Sequence, residues 1–190
     1  MNKQPTYKVV LCGPTNGGKT SFVSHVLCDE IPEEHIPTLG VEVHPLRRSN
    51  CVMNVWDVAG DDRFGGLHGG IERSTGRSLE CPPRQQGCCR KGYFAAADAA
   101  VVFVPLHKRV QEWSSWKRWV EMLPPTLPRI LVLSKDDFPS PFDERDVVVR
   151  YAADHHVPCL TLSLYKKKGV QEVLQTLESL LVRSDTTAKL

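Results

Sequence analysis

The run Gly13-Pro14-Thr15-Asn16-Gly17-Gly18-Lys19-Thr20 constrains this chain more than any other feature. It fits the spacing G-x-x-x-x-G-K-[ST], whose physical purpose is to wrap backbone amides around phosphate groups. The flanks fit that purpose. Tyr7 to Cys12 reads as a buried strand, and Phe22, Val23, Val26 and Leu27 recur at helical spacing. Glycines let the backbone approach an anion closely, and the free amides at a helix start face it. Lys19 is expected to reach the outer phosphates and Thr20 to offer its hydroxyl to Mg²⁺. Thr15, Asn16, Gly17, Gly18 and Ser21 complete the phosphate side of the expected site. An accidental Gly-rich turn is the competing reading, and the strand before and helix after make it the poorer one.

The bulk properties narrow the setting. At 190 residues, one domain with a sizeable core is the natural expectation. The formal net charge of +2 argues against a dedicated nucleic-acid surface. No stretch has the length and apolarity of a membrane span. Met1 to Tyr7 is too polar and short for a secretory signal. Seven scattered cysteines then read as reduced thiols of a cytosolic or nuclear protein.

Strand and helix patterns alternate along the chain. Val41 to Leu46 and Cys51 to Trp56 flank a polar turn and read as a hairpin. Ala99 to Val104 and Ile130 to Leu133 read as buried strands, and Cys159 to Leu164 as another. Helical patterns cover Val110 to Met122, stopped by Pro124-Pro125, then Asp143 to His155 with Asp143 as N-cap, and Val170 to Val182. Trp113, Trp116 and Trp119 recur at helical spacing and read as core or partner-facing surface. His155-His156 suits a helix C-terminus, and Lys166-Lys167-Lys168 a solvated loop. Six strands and at least four helices in this order predict a three-layer α/β fold. Its sheet is mostly parallel with one antiparallel edge, and ligands sit beyond the strand C-termini.

Gly69 to Lys91 breaks the rhythm. Arg73, Arg77, Arg84, Arg90 and Lys91 stand against Glu72 and Glu80, a net of +3, so the remainder of the chain carries −1. Without periodicity, the segment reads as a basic, disordered surface insertion. A tether for an acidic partner is a second reading. A zinc site from Cys81, Cys88, Cys89 and His68 is a third, disfavoured because adjacent Cys88-Cys89 lacks the paired spacing of structural zinc sites.

Further pieces of a site lie downstream. Asp57-Val58-Ala59-Gly60 ends a strand; Asp57 is placed to hold Mg²⁺, usually through water, and Gly60 to give its N–H to a γ-phosphate. Thr38, in Ile36-Pro37-Thr38-Leu39-Gly40, is placed to close over the metal and γ-phosphate and to relax after hydrolysis. Ser134-Lys135-Asp136-Asp137 follows a strand. A carboxylate at Asp137 accepts two hydrogen bonds from guanine N1 and N2, a donor pair adenine lacks, while the Lys135 stem lies along the base. Ser163-Leu164-Tyr165 completes the base pocket.

In this order the pieces resemble the small GTPases of the Ras superfamily, and more narrowly the Ran-type GTPases of nuclear transport. Thr38-Leu39-Gly40-Val41-Glu42-Val43-His44-Pro45-Leu46 carries the narrower likeness. So does Trp56-Asp57-Val58-Ala59-Gly60 followed by Phe64-Gly65-Gly66-Leu67. The resemblance spans about residues 7 to 183, interrupted by the insertion, whose removal joins His68-Gly69 to Tyr93-Phe94 with family spacing. It implies a three-layer P-loop NTPase fold, GTP/GDP and Mg²⁺ as cofactors, and a nuclear and cytoplasmic location. It also implies importin-β-like transport receptors and Ran regulators as partners. Membrane and nucleic acid are not expected ligands.

The departures bear on activity. The family places a glutamine after D-x-x-G to orient the attacking water, and here Asp61 takes that catalytic position. Thr15 replaces a glycine where that group and an activator's arginine must fit. The base motif N-K-x-D has Ser134 for its asparagine, and the S-A-K motif reads Ser163-Leu164-Tyr165 without its lysine. Ile31 stands near the family's base-covering aromatic. The acidic C-terminal extension and a prenylation cysteine are absent before Leu190, which argues against a membrane anchor. The leading expectation is a Ran-like GTP-binding protein with weak Mg²⁺-dependent hydrolysis. The alternatives are a non-hydrolysing pseudo-GTPase that occupies Ran partners, and a P-loop hydrolase of changed base preference.

Overall fold

The computed structural model describes residues 4–32, 34, 36–60, 93–106, 115–137 and 142–187. The strands are β1 (Thr6–Cys12), β2 (Val41–Arg47), β3 (Val52–Val58), β4 (Ala99–Pro105), β5 (Arg129–Ser134) and β6 (Cys159–Leu162). The described helices are α1 (Lys19–Cys28), α2 (Ser115–Met122), α3 (Phe142–Asp154) and α4 (Val170–Thr187). The expected alternation is therefore present, and the six strands form one sheet in the order β2-β3-β1-β4-β5-β6. Among the described strand pairs only β2–β3 is antiparallel; β1 pairs parallel with both β3 and β4, and β5 with β4 and β6.

Period-two alternation splits the core into two layers, as it must when both sheet faces are covered. Val9 and Leu11 of β1 join Phe22, Val23, Val173, Leu174, Leu177 and Leu181 on the face covered by α1 and α4. Val10 and Cys12 join Trp116, Trp119, Val120, Val148 and Ala152 on the face covered by α2 and α3. Trp116, Trp119, Val120 and Leu123 form a stripe at helical spacing, all buried. The tryptophan pattern is thus core at positions 116 and 119, while Trp113 lies outside the described residues. Every residue of β4 is buried, as a central parallel strand requires.

The chain leaves β1 toward β3 on one side and returns to β4 on the other, so the loop after β1 lies where the strand order reverses. A ligand crevice is expected at that point. The outer edge of β2 is closed to strand addition at Pro45. Gly40 and Arg48 bond toward β3 at Ala59 and Cys51. Even-numbered positions therefore face β3, and Pro45 turns its nitrogen outward, where a missing donor costs no ladder bond.

Several boundaries differ from expectation. α3 begins at Phe142, which puts Asp143 inside the helix rather than at its N-cap. β6 ends at Leu162, because Ser163 and Lys168 bridge each other across a turn. α4 continues to Thr187, well beyond Val182. The His155 ring lies 2.9 Å from Tyr151 O at the end of α3, consistent with a histidine at a helix C-terminus. The Gly69–Lys91 insertion lies outside the described residues. Among those described, no helix is long and apolar enough to cross a membrane.

Candidate functional site

The loop between β1 and α1 is shaped by its glycines. Gly13 has φ 135°, and a Cβ there would come within 2.5 Å of Phe103 O on β4. Gly17 donates its N–H to Pro14 O at 3.1 Å, and Gly18, at φ 89°, precedes α1 without a side-chain cap. Gly18 thus offers no side-chain acceptor to the first amides of α1, which lie at the positive end of the helix dipole. Lys19 folds back over this loop. It is 5% exposed, and its Nζ donates to Gly13 O and Pro14 O at 3.1 Å each. Buried cation and amides together form a cradle whose charge and donors suit a phosphate group.

Three oxygen-bearing side chains converge beside it. Thr20 Oγ1 donates to Asp57 Oδ2 at 2.5 Å, and the Thr20 and Thr38 hydroxyls lie 3.0 Å apart. Thr38 Oγ1 is 3.5 Å from the same carboxylate oxygen. Asp57 is fully buried, and its Oδ1 has no hydrogen-bond partner among the described residues. Burial pushes this carboxyl above its usual range, opposed by the Thr20 hydrogen bond and by the charge of Lys19. A buried carboxylate oxygen lacking a donor, next to two hydroxyls, is a hard-oxygen set that fits Mg²⁺. Thr15, Asn16, Gly17, Gly18, Lys19, Thr20, Ser21, Thr38 and Gly60 line the phosphate-side pocket together, joined by Pro37. Gly60 lies against the loop so closely that a Cβ there would meet Thr15 N at 2.3 Å.

A second cavity of about 410 Å³ adjoins the first, sharing Gly18 and Ser21 with it. Its other lining residues are Ile31, Ser134, Lys135, Asp137, Leu162, Leu164 and Tyr165, and its volume suits a small organic ligand. Ser163 Oγ donates to Asp137 Oδ1 at 2.7 Å and accepts from Lys166 N at 3.1 Å, which fixes the carboxylate at the cavity wall. Ser134 is a shorter side chain than the asparagine of the N-K-x-D motif, with fewer hydrogen-bonding atoms. It is buried and donates to Gly17 O at 2.7 Å, tying the base-side segment to the phosphate loop. Ile31 and Tyr165 form the rim, at 41% and 84% exposure.

The structure therefore brings together Thr15 to Ser21, Thr38, Asp57, Gly60, Ser134, Lys135, Asp137, Leu164 and Tyr165, with Ser163 one hydrogen bond behind. Asp61 lies outside the described residues, as do Cys81, Cys88, Cys89 and His68. Pro37 and Leu162 were missed as lining residues; each directly precedes a residue that was singled out. The Pro14 carbonyl that Lys19 binds carries no sequence signal, because any residue supplies one.

Residues 8–75 match the family pattern described as Ras of Complex, Roc, domain of DAPkinase. The matched stretch carries the phosphate loop, Thr38 and Asp57 to Gly60 and ends ahead of the base-side motifs. With the six-stranded sheet and its one antiparallel strand, it supports a Ras-like small GTPase and guanine-nucleotide binding.

Proposed function

We propose that this chain is a Ran-type GTP-binding switch that holds GTP or GDP with Mg²⁺ and cleaves GTP slowly. The observation that carries this is the convergence of Thr20, Thr38 and Asp57 beside buried Lys19, next to a cavity walled by Asp137. In this reading the α1 amides and Lys19 hold the phosphates. Thr20, Thr38 and Asp57 hold the metal, which would supply charge neutralisation at the phosphates. Asp137, steadied by Ser163, accepts the guanine N1 and N2 donors. Lys135 lies at the base, and Tyr165 and Ile31 at the rim.

Hydrolysis is slow because water positioning is compromised at two places. Asp61, directly after Gly60 in the chain, is an anion that repels a γ-phosphate and lacks the amide donor of glutamine. Thr15 adds a side chain at the point where Gly60 already abuts the loop. These two features favour a non-hydrolysing pseudo-GTPase as the second reading. Single-turnover hydrolysis with and without a Ran-activating protein separates the two. Stimulation supports the enzyme, and no turnover with receptor binding retained supports the pseudo-GTPase.

The Ran-type assignment rests on the Thr38 to Leu46 sequence. That segment starts at the metal site through Thr38 and exposes Leu39 and Val43 at 71% and 48%. A nucleotide that orders Thr38 would therefore change an apolar surface offered to partners, which in this reading are importin-β-like receptors in nucleus and cytoplasm. The test is receptor capture by protein loaded with a non-hydrolysable GTP analogue against protein loaded with GDP. Preferential capture of the GTP form is expected, and equal or absent capture overturns the transport role.

A further inference from the structure

Asn16 and Lys135 meet from loops that line the two adjoining pockets. Asn16 lines the phosphate side and Lys135 the base side, with Gly18 and Ser21 shared between them. Lys135 Nζ donates to Asn16 Oδ1 at 2.8 Å. Both residues hold left-handed backbone, at φ 59° for Asn16 and 62° for Lys135. That conformation is disfavoured for side chains with a Cβ, and asparagine tolerates it better than lysine. Two loops, one lining each pocket, thus each hold an uncommon turn, and their side chains meet. A ligand that fills both pockets must pass Gly18 and Ser21, beside this contact.

We infer that Asn16 is a positioning residue for Lys135, and that their hydrogen bond latches the passage between the pockets and sets how fast a bound nucleotide leaves. The inference rests on the nucleotide reading above. It concerns a side chain that a glycine at position 16 would not supply, so it is a property of this sequence and not of the loop backbone. The bond is charge-assisted but solvent-exposed, so its effect is modest, about five-fold on the rate of release.

The test is release of a fluorescent GDP chased by excess unlabelled GDP in millimolar Mg²⁺. Asn16→Gly keeps the left-handed backbone without strain and removes the acceptor. It is expected to speed release about five-fold while leaving the unfolding midpoint of the nucleotide-free protein no lower than wild type. In a Lys135→Met background the same change is expected to add nothing, since the bond is already gone. Unchanged release in Asn16→Gly, or an equal acceleration in both backgrounds, overturns the latch while leaving guanine binding intact. Wild-type protein that takes up no fluorescent GDP overturns the nucleotide reading, and the latch with it.

Discussion

Asp137 and Ser163 illustrate how single residues carry the site. The carboxylate has one oxygen held by a hydroxyl from the next strand's end, which leaves the group oriented along the cavity wall. Replacing Asp137 by alanine strands Ser163 and, in the proposed guanine site, removes the acceptor for the two base donors. Guanine-nucleotide affinity is expected to fall by about 3 kcal/mol, roughly a hundred-fold, measurable by equilibrium titration. At the reaction end, Asp61→Gln should raise the single-turnover rate if water positioning is what limits it. Thr15→Gly combined with Asp61→Gln should exceed the product of the separate effects, since both act on one transition state. Multiplicative rates would separate the two positions.

At the scale of elements, much of the architecture was legible because strand and helix periods are local properties of sequence. The phosphate loop was legible because its residues are contiguous. What was not legible depends on residues far apart in the chain. The bonds of Ser134 to Gly17 and of Lys135 to Asn16 exist because β5 delivers its C-terminal end beside the loop after β1. Asp143 misled because its type suits an N-cap while α3 starts one residue earlier. Arg129 was also invisible as a structural element. Its guanidinium donates to Leu127 O at 3.1 Å, Pro125 O at 3.0 Å, Val120 O at 3.4 Å and also to Pro124 O. It thereby satisfies carbonyls in and after the end of α2. Arg129→Met is expected to cost about 1–3 kcal/mol in urea unfolding, with Arg129→Lys recovering only part, because an ammonium cannot fork to several acceptors.

For the whole molecule, burial dictates chemistry as well as packing. Cys12 and Cys51 are buried, Cys159 is half-buried and Cys28 is exposed. Desolvation pushes the Cys51 and Cys159 thiols up, against the nearby charges of Arg48 and Arg145 respectively. Alkylation mapped by mass spectrometry should therefore mark Cys28 well before Cys12, Cys51 or Cys159. The sign for stability follows. Thiols that stay protonated in the fold ionise once unfolded, so stability falls as pH rises above the ordinary thiol value. That loss should shrink in Cys51→Ala relative to wild type.

In the proposed function one cradle, one metal set and one base pocket act together on a guanine nucleotide. The most direct measurement is thermal unfolding with GDP, ADP or neither, each with millimolar Mg²⁺ or with chelator. With nucleotide at about a hundred times its dissociation constant, binding stabilises the fold by about 2.7 kcal/mol, a rise of roughly 5–10 °C. That rise is expected for GDP with Mg²⁺, a smaller one with chelator or in Asp57→Ala, and none for ADP. An unchanged midpoint with GDP and Mg²⁺, or an equal shift with ADP, would contradict the proposed function.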